Sequence, residues 1–401
     1  MSDRHYMLGL MSCLLAVAGC TPESGTRAPT NADSSVAKAP EPRVPPPVTI
    51  REVRSDKTAF DPGKKESLTV HFLIDKPAEV TLSVFDGRDR LVYRTAPKAF
   101  AAGDHPLSWD GRSLSGAPVP PEAYVYTLTA RTEAGEVTHD LTDVTGGELL
   151  PVPETVWEPG TGRVRYRLDR PARVNIRFGL QGGPYMRTLI DWVPRAAGMQ
   201  YQRWDGWDAS KAVSLSTHPL LVTSLKAYSL SDNTVLVGPP PDQTAFAQVP
   251  AQGARTKQPA SGPKRMYFHP DQPLDTRGDV STSLKLEGAT QQDEQGRWVV
   301  SGNVPVRLDV ADSDRQRVIE RRFEPVFYVD GTFAFETETG YLPMTWQWDT
   351  STVNPGEHFI TANVRGYEGN FGAATLKVWV VHPASTPIAG AAASKPQEKQ
   401  Q

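Results

Sequence analysis

Two stretches that share their first three and last three residues indicate the fold: AAGDHPLSWDG at residues 101–111 and AAGMQYQRWDG at residues 196–206. In the first stretch, Leu107 and Trp109 alternate with polar residues, as in a strand that buries one face. The Asp-Gly pair that follows favours a corner, because Asp accepts hydrogen bonds from nearby backbone N–H groups and Gly adopts positive φ. The stretch therefore predicts a strand that buries a tryptophan and ends in a tight turn.

The similarity extends upstream of this motif. IDKPAEVTLSVFD at 74–86 aligns with LDRPARVNIRFGL at 168–180, an offset of 94 residues, and the two Trp-Asp-Gly motifs lie 95 residues apart. Two matches at a nearly constant offset predict the tandem duplication of one β unit.

Apolar residues recur with a period of two through most of the chain. The segments that show it best are residues 68–74, 80–84, 124–128, 304–310 and 376–380. Short alternating segments separated by Asp-Pro-Gly, Asp-Gly and Ser-Gly turns are typical of β-sandwiches. No segment after the N-terminus has the period of an amphipathic helix, so we predict an all-β chain.

The first unit resembles the Ig-like domain of the flagellar hook-capping protein. The resemblance is carried by VFDGRDRLVYR at 84–94 and AAGDHPLSWDGRSLSGAPVPPEAYVYTLTA at 101–130, with Glu122 standing where the family usually has Gly. The second unit keeps the Trp-Asp-Gly motif but has STHPLLVTSLKAYSL, at 216–230, in place of the segment around Glu122. The resemblance implies an Ig-like fold for the first unit and a degenerate copy for the second.

A third unit follows a linker rich in Pro, Ala and Gln. Its segment WDTSTVNPGEHFITANVRGYEGNFG, at 348–372, resembles the late strands of bacterial Ig-like domains, with Pro355 and Gly356 at a turn. We therefore predict the following organisation: a signal peptide at 1–19, a disordered tether at 20–49, Ig-like or fibronectin-like β-sandwiches at 50–148, 149–238 and 265–383, a linker at 239–264, and a disordered tail at 384–401.

The N-terminal sequence predicts export and attachment to a membrane. An apolar run over residues 7–18 is short for a membrane span but suits a signal sequence, and it ends in Val-Ala-Gly followed by Cys20. This ending resembles the lipobox of bacterial lipoproteins, which implies that Cys20 is the lipidated first residue of the mature chain. Thr21 follows it where an Asp would retain the protein in the inner membrane, so the resemblance implies the outer membrane, facing the periplasm or the cell surface.

Composition narrows the function. The chain carries 43 basic and 46 acidic residues, for a net charge of −3, so a nucleic-acid partner is not expected. Its two cysteines, Cys13 and Cys20, both lie near the N-terminus, which leaves the folded units without a disulfide or a cysteine metal site. The sequence has no zinc-type pair of histidines, no Gly-x-Ser-x-Gly and no phosphate loop. We therefore predict no catalytic residues, no cofactor and no metal.

Two short motifs have a functional interpretation beside a structural one. Asp309, Asp312 and Asp314 offer the oxygen ligands that Ca²⁺ prefers, but their spacing is not that of a calcium loop, and a solvated turn is favoured. Arg-Gly-Asp at 277–279 matches an integrin-binding tripeptide, which is too short to indicate an animal partner.

The sequence favours a non-enzymatic envelope protein, either structural or binding another envelope protein through strand edges and loops. The alternative is a lipoprotein that binds envelope or extracellular polysaccharide. In that case Trp207 and Trp346 would stack on sugar rings. The structural interpretation of both tryptophans is that they pack in cores or cover sheet edges.

Overall fold

The computed structural model describes residues 48–153, 155–238, 279–367, 369 and 371–382. These residues form β-sheets around three hydrophobic cores, which confirms the all-β prediction. The predicted signal peptide, the linker at 239–264 and the tail at 384–401 lie outside the described residues, as does the tether up to residue 47.

The first sandwich is built from nine strands of its own sequence. They are β1 (Ile50–Ser55), β2 (Ala59–Phe60), β3 (Leu68–Ile74), β4 (Ala78–Phe85), β5 (Leu91–Arg94), β6 (Lys98–Phe100), β7 (Gly103–Trp109), β8 (Glu122–Thr132) and β9 (Gly135–His139). One sheet has the order β1-β3-β7, and the other is centred on β8 and β4. Alternate residues of β3 are buried, as its sequence predicts, and they pack with residues of β4 and β8 in one core.

The second sandwich repeats this arrangement with fewer strands. They are β10 (Val156–Glu158), β11 (Arg163–Leu168), β12 (Ala172–Leu180), β13 (Tyr185–Arg195), β14 (Gly198–Arg203) and β15 (Leu221–Ser229). Its sheets have the orders β10-β11-β14 and β13-β12-β15. Because β4 and β12 hold the same central position, the alignment of 74–86 with 168–180 corresponds to a structural equivalence.

The strand that follows β15 does not lie in the second sandwich. Strand β16 (Thr234–Val237) pairs antiparallel with β8 and parallel with β2, inside the larger sheet of the first sandwich. Val235 and Val237 are buried in the first core. The sequence assigns these residues to the second unit, because strand period and chain order do not reveal which neighbour a strand pairs with.

The third sandwich has eight strands and one helix: β17 (Thr282–Leu286), β18 (Trp298–Val300), β19 (Asn303–Val310), α1 (Asp312–Glu320), β20 (Phe323–Val329), β21 (Thr332–Glu336), β22 (Met344–Asp349), β23 (Gly356–Gly366) and β24 (Phe371–Val380). One sheet has the order β17-β19-β22 and the other β18-β24-β23-β20-β21.

Helix α1 corrects the prediction that the chain has no helix after its N-terminus. Only Val318 of the helix is buried, so the sequence carries no stripe of apolar residues to reveal it. Its first turn holds Asp312 and Asp314, which interact favourably with the partial positive charge at a helix N-terminus.

Candidate binding surfaces and the junctions between sandwiches

The Trp-Asp-Gly motif forms the same corner in both copies. The indole N–H of Trp109 donates to the Arg112 carbonyl oxygen at 2.8 Å, and that of Trp204 donates to the Trp207 carbonyl oxygen at 3.0 Å. In each copy the Asp carboxylate accepts from the N–H two residues later, at 3.1 Å. The following Gly has φ of 77° in the first copy and 83° in the second. The motif therefore recurs because it closes a strand around a buried tryptophan.

Trp207 lies on the outer side of this corner. Its side chain is 40% exposed, while its backbone is held by Asp205 and by the indole of Trp204. A salt bridge joins Lys211 to Asp205 beside it. An exposed aromatic ring on a fixed backbone is a surface on which a sugar ring can stack.

Trp346 is part of the third core rather than an open platform. Its ring stacks on Phe335 with 6.1 Å between the ring centres and lies 5.1 Å from Phe327. It is partly buried against the same core as Trp348, on the same face of β22. The structure places Trp207 and Trp346 in different sandwiches, so they do not form one site.

The three aspartates at 309–314 do not form a solvated turn, which corrects that prediction. Asp309 lies in β19 and its carboxylate accepts from Arg315 at 2.7 Å. Asp314 lies in the first turn of α1, where it accepts from the Ser281 N–H at 2.9 Å and from Arg317 at 2.9 Å. The carboxylates of Asp309 and Asp314 therefore fix the helix against the sheet, whereas that of Asp312 is exposed and lies 3.4 Å from Arg315 of its own helix.

A groove beside β17, β19 and the start of α1 is lined mainly by polar and charged side chains. Its two arginines have acidic partners: Arg307 lies 3.2 Å from Glu287, and Arg315 lies 2.7 Å from Asp309. The groove therefore offers no excess of either charge.

Within the described ranges, no three His, Cys, Asp or Glu side chains are grouped as a metal site would require. In the same part of the chain, no helix has the length and apolarity needed to cross a bilayer. Cys20 lies outside the described residues, and so do Arg277 and Gly278 of the tripeptide at 277–279.

The junction between the first and second sandwiches combines strand pairing with a buried ion pair. Strand β16 adds to β8, and Asn233, just before it, donates to the Tyr126 carbonyl oxygen at 2.9 Å. At the start of β8, Glu122 lies 2.9 Å from Arg173 of β12. The Arg173 side chain is only 3% exposed and that of Glu122 is 17% exposed, so the pair is largely removed from water. This junction therefore joins the two sandwiches through both backbone and side chains.

In the sequence, Glu122 stands out only because the hook-capping Ig-like family usually has Gly at this position. The structure gives the physical reason, because this carboxylate pairs with Arg173 across the junction. This departure was the one feature of the sequence that could have indicated a special role for Glu122. The partner could not be found from the sequence, since no spacing rule links residues 51 positions apart.

The junction between the second and third sandwiches is formed by one face of β23 and β24. The buried side chain of Asn363 donates to the Tyr185 carbonyl oxygen at 2.7 Å. The Thr375 N–H donates to the Ser210 hydroxyl at 2.8 Å. These polar contacts fix the position of β23 and β24 on the second sandwich.

Aromatic and glycine contacts extend this second junction. The guanidinium of Arg177 lies 4.4 Å from the centre of the Phe371 ring, and Tyr185 meets the same ring edge-on at 6.0 Å. A Cβ atom on Gly183 would lie 2.4 Å from the Gly331 carbonyl oxygen, so the two backbones approach closely only because Gly183 has no side chain. The third sandwich is therefore packed on the second.

The β20–β21 turn that reaches this junction is held by a histidine. His358 Nδ1 lies 2.5 Å from Asp330, and its Nε2 lies 2.7 Å from the Asn354 carbonyl oxygen. Burial alone would lower the pKa of His358, but the bonds to Asp330 and to the Asn354 carbonyl oxygen outweigh it and raise the pKa. The protonated imidazole therefore fits this position, because both ring nitrogens face acceptors.

We expect the third sandwich to lose stability as the pH rises above about 6.5, the unfolded pKa of His358, and through its raised folded pKa. A histidine whose pKa is raised on folding contributes stability that is complete below its unfolded pKa of about 6.5 and is lost as the pH passes its folded pKa. Hydrogen exchange of β20 and β23 amides against pH measures this, with His358→Gln as the comparison. His139, whose pKa burial lowers, acts in the opposite sense and is common to both proteins. Equal pH dependence in the two proteins would contradict the assignment.

Comparison with known proteins gives one family. Residues 55–135 match the family described as the FlgD Ig-like domain. Among solved structures, FlgD from P. aeruginosa is 24% identical over 23% of this chain and 67% of that one, with a TM-score of 0.20. A bacterial ice-binding adhesin is 12% identical over 84% of this chain and 99% of that one, with a TM-score of 0.18. The tetra-tandem repeat of a large adhesion protein is 11% identical over 82% and 74%, with a TM-score of 0.17.

These TM-scores are too low to relate the whole molecules, and no curated protein matches the chain. The family match covers the stretches that carry the resemblance in the sequence, from the alternation of β3 to the end of β8. The first sandwich of this chain is therefore an Ig-like domain similar to that of the flagellar hook-capping protein FlgD.

Proposed function

We propose that this chain is a non-enzymatic, lipid-anchored protein of the bacterial outer membrane. Its Ig-like sandwiches act as a stiff scaffold that holds a binding surface for another envelope protein away from the membrane. Cys20 carries the lipid, and the residues up to the first sandwich are the tether. The scaffold faces either the periplasm or the cell surface.

The observation that carries this proposal is the way in which the sandwiches are joined. Strand β16 continues the sheet of the first sandwich, and the Glu122–Arg173 pair is buried beside it. Asn363 and Thr375 bond the third sandwich to the second. Domains move relative to each other unless their interface is extensive. Here the continuous sheet at the first junction and the packed aromatic and backbone contacts at the second restrict bending. Stiffness of this kind suits a spacer.

In-cell photocrosslinking tests the scaffold function. A photoreactive residue replaces Phe333 or Tyr341, which are 54% and 60% exposed in the third sandwich, and mass spectrometry identifies the captured proteins. Leu114 of the first sandwich, 62% exposed, is the matched control position. One dominant protein captured from the third sandwich and not from Leu114 supports the proposal. If neither position captures a protein above background, the protein-scaffold proposal is wrong.

We expect Cys20→Ser to release the protein from the membrane fraction. Serine lacks the thiol that forms the thioether bond, and several acyl chains give far stronger anchoring than one. Membrane fractionation followed by mass measurement of the N-terminal peptide checks both points. Cys13→Ser is the control, because Cys13 lies within the predicted signal peptide and should leave anchoring unchanged. Equal membrane retention of the two variants would contradict lipidation at Cys20.

The exposed ring of Trp207 supports the second candidate function, binding of a polysaccharide. Loss of one stacked ring reduces retention on the glycan, so Trp207→Ala should elute earlier from an envelope-polysaccharide column. Trp346→Ala serves as the comparison, since Trp346 packs in the third core. If the native protein is not retained, or if Trp207→Ala leaves retention unchanged, the glycan-binding hypothesis fails.

A further inference from the structure

The two duplicated sandwiches differ in what covers their last long strand. In the first sandwich, β9 follows β8 and pairs with its second half, while β16 pairs with its first half. In the second sandwich, β15 takes the place of β8. The strand that follows it, β16, pairs with β8 of the first sandwich instead of with β15. The strand that follows the last long strand therefore pairs within its own sandwich in the first unit, but with the neighbouring sandwich in the second.

The register of the central strands shows which residues correspond. Val80 of β4 lies opposite Ala130, and its equivalent Val174 of β12 lies opposite Ala227. Counting back from these pairs, Tyr124 corresponds to Leu221, and Leu128 corresponds to Leu225. Tyr124 and Leu128 are buried, whereas Leu221 and Leu225 are only partly buried and Thr223 between them is exposed. In the first sandwich β16 pairs with residues 122–125, and no described strand pairs with the corresponding edge of residues 219–222.

Among the residues that the structure describes, other backbone covers only one end of β15 on the side away from β12. The Leu150 N–H donates to the Ala227 carbonyl oxygen, and Ser229 exchanges hydrogen bonds with residues 147 and 148. In an antiparallel ladder, alternate residues turn their N–H and C=O groups toward alternate sides. Since Ala227 and Ser229 face away from β12, the backbone groups of Leu221, Thr223 and Leu225 face the same way.

This stretch has the features of an edge that accepts another strand. We define the open edge as the backbone of Leu221–Leu225 on β15. Across the described ranges no strand pairs with it, and its only backbone bond on that side runs from the Leu221 N–H to His218. Its register against β12 has no bulge, and the edge contains no proline or charged residue. Natural proteins usually protect an edge by one of these means.

We propose that the open edge pairs with the open edge of a second copy of this chain, antiparallel and across a two-fold axis through Thr223. The outward direction of the open groups requires an axis through a residue rather than between two residues, and the neighbouring positions select Thr223. An axis through Thr223 pairs Thr223 with its counterpart and Leu221 with Leu225 of the second copy, which uses the groups that face outward. An axis through Val222 would place the open Leu225 opposite Pro219, which has no N–H. An axis through Ser224 would place the open Leu221 opposite Ala227, whose carbonyl oxygen already accepts from the Leu150 N–H.

The side chains fit the same register. Leu221 meets Leu225 of the second copy, so the partly buried leucines cover each other. Val222 meets Ser224, which have compatible sizes, and Lys226 falls opposite Leu220 rather than opposite a second lysine. Like charges directly opposite each other destabilise a strand pair, and this arrangement avoids them. The interface is isologous and closes at two copies.

A cysteine at the axis tests the pairing. In full-length protein with Cys13 and Cys20 replaced by serine, Thr223→Cys should form a disulfide-linked dimer under mild oxidation. Opposite Cα atoms in a hydrogen-bonded antiparallel pair lie about 5.5 Å apart, which a disulfide spans. Lys226→Cys is the matched control, because six residues of offset separate the two sulfur positions by about 20 Å. Dimer formation at 223 and not at 226 supports the proposal. Equal crosslinking at the two positions overturns it.

Sedimentation of the chain without added cysteines gives an independent readout. Thr223 is exposed, so Thr223→Lys is compatible with the folded sandwich and places two lysines together at the axis. We expect the dimer dissociation constant to rise about tenfold or more, with unchanged circular dichroism. Lys226→Gln is the control and should not weaken the dimer. A native protein that remains monomeric up to the highest concentration examined overturns the proposal, as does a Thr223→Lys variant that dimerises normally.

Discussion

Trp109→Ala should destabilise the first sandwich by about 3–5 kcal/mol, the usual cost of removing a buried tryptophan. The Trp109 side chain is 1% exposed and packs against Phe60 at 5.6 Å and Tyr124 at 5.5 Å between ring centres. Its indole N–H also closes the corner by bonding the Arg112 carbonyl oxygen. Alanine therefore removes the apolar contacts and leaves a carbonyl group without its donor.

Hydrogen exchange followed by mass spectrometry measures this loss in the full-length protein. Peptides from β3 and β4 report the opening free energy of the first sandwich, which a global unfolding curve of three sandwiches does not isolate. Trp207→Ala is the matched control, because that ring is 40% exposed and its removal should cost about 0.5 kcal/mol or less. If the two variants exchange alike in their own sandwiches, Trp109 does not have the structural role assigned to it.

Glu122→Ala should lower the free energy that holds the first two sandwiches together by about 3 kcal/mol or more. The change removes the Glu122 carboxylate from beside the guanidinium of Arg173, which is 3% exposed. Removal of one partner of a buried ion pair costs more than the pair contributes, because the remaining charge has lost its hydration.

A double-mutant cycle measures the coupling. Arg173→Met and Glu122→Leu together replace both charges by apolar groups, and we expect the double variant to be more stable than Glu122→Leu alone. Exchange of β8 and β12 amides is the readout. The exposed pair Arg54–Asp104 is the control, and its cycle should give at most about 1 kcal/mol. A coupling energy no larger than that of the exposed pair would contradict the role of the buried Glu122–Arg173 pair in holding the two sandwiches together.

The strands were predictable because their signal is local. Alternate residues of β3 and β19 are buried as their sequences indicate, since the strand period is two and one face meets a core. The Trp-Asp-Gly corners were equally predictable, because their hydrogen bonds join residues two or three positions apart. The resemblance to the hook-capping Ig-like domain was carried by the same local stretches and is confirmed over residues 55–135.

Helix α1 and Trp346 show where local signals fail. The helix has a single buried residue, so its stability depends on contacts such as the bond from the Ser281 N–H to Asp314, which lies 33 residues away along the chain. Trp346 lies on a strand whose pattern allowed either an exposed or a packed ring. Its stacking on Phe335 was decided by which strand lies across the core.

The β elements, their turns and the duplication of the first unit can be predicted from the amino-acid sequence, because each depends on residues close together in the chain. Which strand pairs with which depends on the tertiary structure: β16 joins the first sandwich, Glu122 pairs with Arg173, and no described strand pairs with the Leu221–Leu225 edge. A strand of alternating apolar residues satisfies any edge of the right length and direction. Its choice of partner therefore depends on the geometry of the whole fold.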